Sequence, residues 1–148
     1  MFEQFQELTL YNSEELKVID TVGPPVSEEG AATPRAFIAG FTPTIRTLFF
    51  NSSPDVIQSA LGFHSPSRPM HERLLLDPHR ALALAPAMLG AAVEQSRIAV
   101  IGGGGGSLPA TLHHCLPKSA IVSVECDPEV AEVAQRFFPA SMRMRPPS

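Results

Sequence analysis

The chain has no tryptophan, one tyrosine and only two cysteines among its 148 residues. Cys115 and Cys126 form neither a Cys-x-x-Cys pair nor a disulfide framework, so reduced thiols in the cytoplasm are expected. Basic residues number 11 against 15 acidic ones, and the net charge of -4 gives no electrostatic reason to expect a nucleic-acid partner. No apolar run approaches the roughly 18 residues of a membrane span. We therefore expect a cytoplasmic protein with neither a membrane nor a nucleic acid as partner.

The first half of the chain contains short β-forming segments separated by turn residues. Gly, Pro, Asn and Ser are concentrated between the segments, and these short spacings favour an antiparallel meander over parallel pairing. The stretch "GFHSPSRP" then indicates a linker, which suggests an N-terminal β region over residues 1–66 and a second domain over residues 67–148. The predicted strands cover residues 15–22, 35–41, 45–50 and 56–61.

The second half alternates between helical and strand patterns. Asp77 and Pro78 suit the start of a helix that Pro86 should kink or split. Two apolar runs, "RIAVI" and "AIVSVE", predict buried strands, and "SLPATLHHCL" between them predicts a helix. Asp127 is the expected N-cap of a third helix. This alternation predicts an α/β fold in which a Rossmann-like parallel sheet with flanking helices follows the β region.

The predicted parallel sheet is incomplete, because a doubly wound sheet usually needs five or more strands and only two are recognisable. Strands without neighbours would leave an unpaired apolar edge. The sequence therefore suggests a truncated domain, and we hypothesise that this chain is a fragment, a splice form or a degenerate copy that is inactive alone.

Five consecutive glycines, residues 102–106, lie between a predicted strand and a predicted helix. Such a loop exposes backbone N–H groups at the positive end of a helix dipole and allows a ligand to approach the backbone closely. Glu125 follows Gly106 by 19 residues and ends the next strand, where a carboxylate can accept hydrogen bonds from ribose hydroxyls. The pattern predicts a site for a nucleoside-containing cofactor, and a flexible spacer is the alternative.

The spacing of the glycines distinguishes among such cofactors. The dinucleotide motif Gly-x-Gly-x-x-Gly would place its third glycine at Ser107 or Leu108, and neither is glycine. A phosphate-binding P-loop needs a lysine that this loop lacks. The loop does fit Gly-x-Gly-x-Gly over Gly102, Gly104 and Gly106.

The stretch "VIGGGGGSLPATLHHCLPKSAIVSVECDPEVAEVAQRFF" resembles the cofactor-binding half of the spermidine synthase-like group of class I S-adenosylmethionine-dependent methyltransferases. Upstream, "RTLFFNSSPDVIQSALG" is similar to the β-hairpin that precedes this domain in the group. One eukaryotic member methylates translation elongation factor 1-alpha, so the resemblance implies a protein substrate. It also implies S-adenosylmethionine as cofactor, and subunit contacts through the β region.

The resemblance assigns cofactor contacts residue by residue. It implies that the loop backbone contacts the methionine part of S-adenosylmethionine and that the acid ending the second strand holds the ribose. A glutamine of the hairpin also matches, although an ordinary strand residue is an alternative interpretation there. The implied cofactor-binding residues are Gly102, Gly103, Gly104, Gly106, Glu125 and Gln58.

Several functions remain open on this evidence. Methyl transfer to a protein amine is favoured, because true spermidine synthases have Asp where this chain has Gly105, and a tyrosine-bearing segment where it has "PMHERLLL". Aminopropyl transfer, a non-catalytic interaction fragment and nicotinamide-dependent oxidoreduction are the alternatives. The family's acceptor-side residues lie on later strands, so no catalytic residue is assigned. His113, His114 and Cys115 do not converge as metal ligands, since adjacent helical side chains diverge by about 100°.

Overall fold

The computed structural model describes residues 5–23, 44–65, 68–88 and 95–138. These residues form a mixed α/β structure with a five-stranded antiparallel sheet and a two-stranded parallel sheet. The elements in chain order are β1 (Gln6–Asn12), β2 (Leu16–Val22), β3 (Thr44–Phe50), β4 (Ile57–Ser65), β5 (Arg68–Pro69), α1 (Asp77–Met88), β6 (Arg97–Ile101), α2 (Ser107–Cys115), β7 (Ala120–Val124) and α3 (Pro128–Phe137).

The five-stranded sheet is a meander with the strand order β1-β2-β3-β4-β5, which confirms the antiparallel arrangement expected from the short spacings. Strand β2 alternates buried and half-buried residues over most of its length, because successive side chains of a strand point to opposite faces. Leu16 and Val18 are fully buried in this way. In β2, every second residue therefore faces the core side of the meander.

The strand boundaries differ from the predicted ones in three places. Strand β1 was not predicted, because its residues are mostly exposed and so lack an apolar signal. The predicted strand ending at residue 61 continues to Ser65, and β5 follows in the segment interpreted as a linker. Segment 62–69 is thus partly strand, because Phe63 is buried and pairs with Pro69. The strand predicted at 35–41 lies outside the described residues, and the division at residue 66 remains a prediction.

The two parallel strands pair in register from Arg97–Ala120 to Ile101–Val124. Both predicted strands are confirmed, but only one of their faces is buried. One face carries Val100, which packs against α1 and α2. On the other face Ile101 is 77% exposed and Val122 is 56% exposed, because no described element covers them.

Helix α3 begins as predicted. Asp127 accepts hydrogen bonds from the N–H groups of Glu129 and Val130 at 2.9 and 3.2 Å, and it satisfies donors that the first helical turn leaves unpaired. The buried face of the helix contains Val130, Val133 and Ala134. This face packs against the meander, so α3 joins the parallel strands to the antiparallel sheet.

Polar contacts fix α3 on the meander at both of its ends. Tyr11 donates a hydrogen bond to Glu129 at 2.9 Å, and this bond raises the pKa of Tyr11. Arg46 makes a bidentate ion pair with Asp20, 2.7 Å for each bond, and also donates to the carbonyl of Phe137 at the helix C-terminus. A cation at that end is also favoured by the helix dipole. These contacts position Val130 beside the glycine loop.

Candidate functional site

The glycine loop connects β6 to α2 and has the backbone conformation that glycine allows. Gly102, Gly104 and Gly106 have φ angles of 81°, 51° and 75°, in the left-handed region that other residues rarely adopt. Gly106 occupies the N-cap position of α2, where no side chain caps the helix. Three positions of the loop therefore need glycine for backbone reasons alone.

The loop is held against the end of β7. The N–H groups of Gly102 and Gly103 both donate to the carbonyl of Val124, at 2.9 and 3.3 Å. Gly106 N–H closes a turn by donating to the carbonyl of Gly103 at 2.9 Å. The pentaglycine stretch is an ordered turn, and the spacer alternative is wrong.

Glu125 lies directly beside this turn. Its Oε2 accepts a hydrogen bond from Gly104 N–H at 2.9 Å, and its Oε1 accepts one from Asp127 N–H at 3.1 Å. These two bonds fix the carboxylate at the tip of β7. Each carboxylate oxygen can accept more than one hydrogen bond, so capacity remains for ligand hydroxyls.

A cavity of about 250 Å³ opens at this point. Ligand pockets usually measure roughly 300–1,000 Å³, so this cavity can enclose only a small ligand or part of a larger one. Its lining combines loop backbone and polar side chains with an apolar wall from β3 and α3. The lining residues are Leu48, Phe50, Gln58, Gly102, Gly104, Glu125 and Val130.

Four of the six residues implied by the resemblance thus meet at one cavity: Gly102, Gly104, Glu125 and Gln58. The other two, Gly103 and Gly106, do not line the cavity, and packing or helix geometry explains them. A Cβ atom at Gly103 would overlap the hydroxyl of Ser123 on β7, and Gly106 ends the loop at the start of α2. Whether any of the six contacts a cofactor stays a prediction.

Gln58 reaches the cavity because of an irregularity in β4. Leu48 pairs with Ser59 and Phe49 pairs with Ile57, so Gln58 is an extra residue without a partner on β3. Such a β-bulge redirects a side chain and is common next to active sites. Apart from a long 3.5 Å contact with the carbonyl of Val56, no described hydrogen bond engages the Gln58 amide nitrogen. The bulge therefore presents a polar side chain to the cavity.

The apolar wall was missed by the sequence analysis as part of a site. Leu48 and Phe50 belong to a predicted strand and Val130 to a predicted helix face, and all three types are common in cores. Nothing in their spacing marks them as ligand contacts. Only the docking of α3 on the meander brings Val130 to the same cavity as Leu48.

One histidine contacts the residue that follows the glycine loop, and two others lie elsewhere in the described structure. His79 of α1 lies 3.2 Å from the buried hydroxyl of Ser107, the first residue of α2, and burial lowers the pKa of His79. His64 contacts Glu72 at 2.7 Å, and burial lowers the pKa of His71. Within the described ranges, no cluster of three or more His, Cys, Asp or Glu residues is arranged to hold a metal ion.

The two cysteines are both exposed. None of the helices within the described ranges combines the length and apolar character that a membrane crossing requires.

Taken together, the fold is a partial Rossmann-like α/β structure preceded by an antiparallel meander, with a glycine loop and an acidic strand end on one cavity. A spermidine synthase fold matches it over the whole chain. A probable spermidine synthase from Corynebacterium glutamicum superposes with a TM-score of 0.51 at 15% identity, covering 100% of this chain and 45% of that protein. At this identity the likeness establishes the fold alone.

Sequence comparisons point to the same group over short stretches. The human eEF1A lysine and N-terminal methyltransferase is 54% identical over 39 residues, which are 26% of this chain and 6% of that protein. Its homologue from Drosophila pseudoobscura pseudoobscura is 50% identical over 44 residues, 30% of this chain and 6% of that protein. A polyamine aminopropyltransferase from Vibrio vulnificus is 44% identical over 45 residues, 30% of this chain and 15% of that protein.

The chain thus spans only a small part of the length of these curated relatives, and no protein-family model matches it. Sequence and fold together nevertheless confirm the resemblance to the spermidine synthase-like group of class I methyltransferases. The similarity is to methyltransferases and aminopropyltransferases alike. These relatives are all transferases, but they do not act on one common acceptor.

Proposed function

We propose that the cavity binds the adenosyl part of S-adenosylmethionine, and that the protein to which this site belongs transfers the methyl group to a protein amine. The observation that carries the proposal is the 2.9 Å hydrogen bond between Gly104 N–H and Glu125, two residues that line the same cavity. It brings the glycine loop and the acid into direct contact. Glu125 would accept bonds from the ribose hydroxyls, and the apolar wall would cover the base.

Methyl transfer requires the protein mainly to align the attacking amine with the methyl carbon of S-adenosylmethionine. A neutral amine attacks the methyl carbon, the new C–N bond forms as the C–S bond breaks, and S-adenosylhomocysteine leaves with the sulfur electron pair. The amine proton passes to solvent. Because the sulfonium is already a good leaving group, proximity and orientation supply most of the rate.

Aminopropyl transfer is the second candidate, because a polyamine aminopropyltransferase is among the matched relatives. The surroundings of Gly105 disfavour it. A Cβ atom there would lie 2.8 Å from Ser59 Cβ and 3.1 Å from the Phe138 ring, and Gly105 does not line the cavity. An aspartate at this position, which suits recognition of a cationic amine, has no room in this chain.

An interaction role through the meander is compatible with either chemistry. Among the described strands, β1 is at an edge of the sheet, and Leu8 on it is 60% exposed. Exposed strand edges pair readily with another chain. A second copy of this chain could therefore associate there, and sedimentation of the purified chain would show it.

Calorimetry of the full chain against four ligands tests the proposal. We expect S-adenosylmethionine and S-adenosylhomocysteine to bind, and NAD not to bind. Tighter binding of decarboxylated S-adenosylmethionine would favour aminopropyl transfer instead. Heat from none of the four ligands would refute the cofactor assignment.

Turnover is tested separately, with methyl-labelled S-adenosylmethionine and eukaryotic elongation factor 1A. For this chain by itself we expect binding without transfer. Among the described residues that line the cavity, Glu125 is the only ionisable one, and both of its oxygens already accept backbone hydrogen bonds. Labelled elongation factor would contradict this expectation and confirm the substrate.

A further inference from the structure

A buried serine of the meander is bonded to the glycine loop. Ser59, on β4, is 1% exposed, and its hydroxyl accepts a hydrogen bond from Gly105 N–H at 2.8 Å. The two residues are 46 positions apart in the chain. The bond is buried and connects the antiparallel sheet directly to the turn that lines the cavity.

The loop backbone packs on this serine with no space to spare. A Cβ atom at Gly104 would lie 2.8 Å from the Ser59 hydroxyl, and one at Gly105 would lie 2.8 Å from Ser59 Cβ. Both distances are shorter than real side-chain contacts allow. The loop can reach this depth only because both positions are glycine and the residue beneath them is small.

The hydrogen bond also serves a donor that would otherwise have no partner. A buried backbone N–H without an acceptor loses the hydrogen bond that water would give it in the unfolded chain, so leaving it unpaired is destabilising. Ser59 supplies the acceptor, while the preceding residue Gln58 forms the bulge and lines the cavity. One short segment of β4 thus both supports the loop and contributes to the site.

We propose that Ser59 is a positioning residue of the cofactor site. Its hydroxyl holds the glycine loop at the depth where Gly102 and Gly104 line the cavity and Gly104 N–H meets Glu125. Ser59 does not itself line the cavity, so it acts through the loop. This inference rests on the proposed cofactor function of the cavity.

The test compares Ser59→Ala with Thr47→Val in the full chain. Thr47 is a matched control because it is also a buried hydroxyl of the meander, 6% exposed, but it donates to the carbonyl of Ile19 within the sheet. Three quantities are measured for each variant: the melting temperature, the hydrogen-exchange rate of the Gly105 amide by NMR, and the affinity for S-adenosylhomocysteine by calorimetry. Ser59→Cys, with its weak sulfur acceptor, supports the same comparison should the alanine variant not fold.

We expect Ser59→Ala to accelerate exchange at Gly105 at least tenfold and to weaken binding about 5- to 50-fold, as the loss of a buried acceptor implies. Thr47→Val should lower the melting temperature without either effect. Equal affinities for Ser59→Ala and the wild type, or unchanged Gly105 exchange, would overturn the role of Ser59 alone. A wild-type chain that binds no S-adenosylhomocysteine would overturn the proposed function, and the positioning role with it.

Discussion

Substitution of Gly102 by alanine separates the requirements of folding from those of ligand binding. Gly102 has a φ of 81°, but a Cβ atom there would meet no other atom within 4 Å. The left-handed conformation costs a non-glycine residue about 1–2 kcal/mol, and the stiffer unfolded chain returns about 0.4–1 kcal/mol. The net loss of stability should be about 1 kcal/mol, or roughly 3–5 °C in melting temperature for a chain of this size.

Gly102 belongs to the lining of the cavity, and a Cβ atom there would meet open space. A methyl group there would occupy room that the ligand needs, so we expect the affinity for S-adenosylmethionine to fall at least tenfold. Calorimetry measures the affinity, and thermal unfolding followed by circular dichroism measures the stability. Gly62→Ala is the control, because Gly62 lies in β4 outside the cavity lining and its Cβ would meet the flexible Met70 side chain at 3.1 Å.

The reasoning would fail if Gly102→Ala bound the cofactor as tightly as the wild type. It would also fail if Gly62→Ala weakened binding to the same degree, because the effect would then reflect stability and not the cavity. A loss of stability well above 3 kcal/mol in Gly102→Ala would show that the loop conformation is more strained than its φ indicates.

Three further predictions concern charge and protonation. In Glu125→Gln, an amide NH₂ replaces one of the two carboxylate oxygens that accept backbone hydrogen bonds, so two donors face each other. The free energy of unfolding should fall by about 1.5–3 kcal/mol, and the cofactor affinity should fall with it. A denaturant titration that shows no loss of stability would refute this prediction. Asp20→Asn removes the ionic partner of Arg46, which is nearly buried, and should cost about 2–3 kcal/mol in thermal unfolding, whereas an unchanged midpoint would show the pair to be dispensable. Because burial lowers the pKa of His79, the unfolded state binds more protons than the folded state below about pH 6.5, and the free energy of unfolding must fall as the pH decreases. His79→Gln should make that decline shallower. Parallel curves of stability against pH for the two proteins would contradict this prediction.

One face of the two parallel strands exposes apolar side chains. Ile101, Val122 and Val124 are 77%, 56% and 47% exposed on one side of the two-stranded sheet. Parallel strands are normally covered on both faces. Apolar surface of this kind promotes association, so each titration should be repeated at several protein concentrations.

Local sequence patterns determine much of the secondary structure of this protein and part of its candidate site. The Asp127 cap, the glycine turn and the alternation of β2 each depend on a few neighbouring residues, and all three were predictable from the sequence. The contact between the loop and Glu125 was also predictable, since parallel strands with a short helical connection place Gly104 and Glu125 at the same end of the sheet.

Contacts between distant segments were decided only by the tertiary structure. The sequence does not reveal that Ser59 lies under Gly105, that the bulge turns Gln58 into the cavity, or that Val130 faces Leu48 there. Such contacts depend on how α3 and the loop dock on the meander, and docking is the sum of many weak packing terms that leave no local pattern. The exposure of Val122 was undecidable for the same reason, because burial of a strand depends on which elements cover it and not on the strand's own residues.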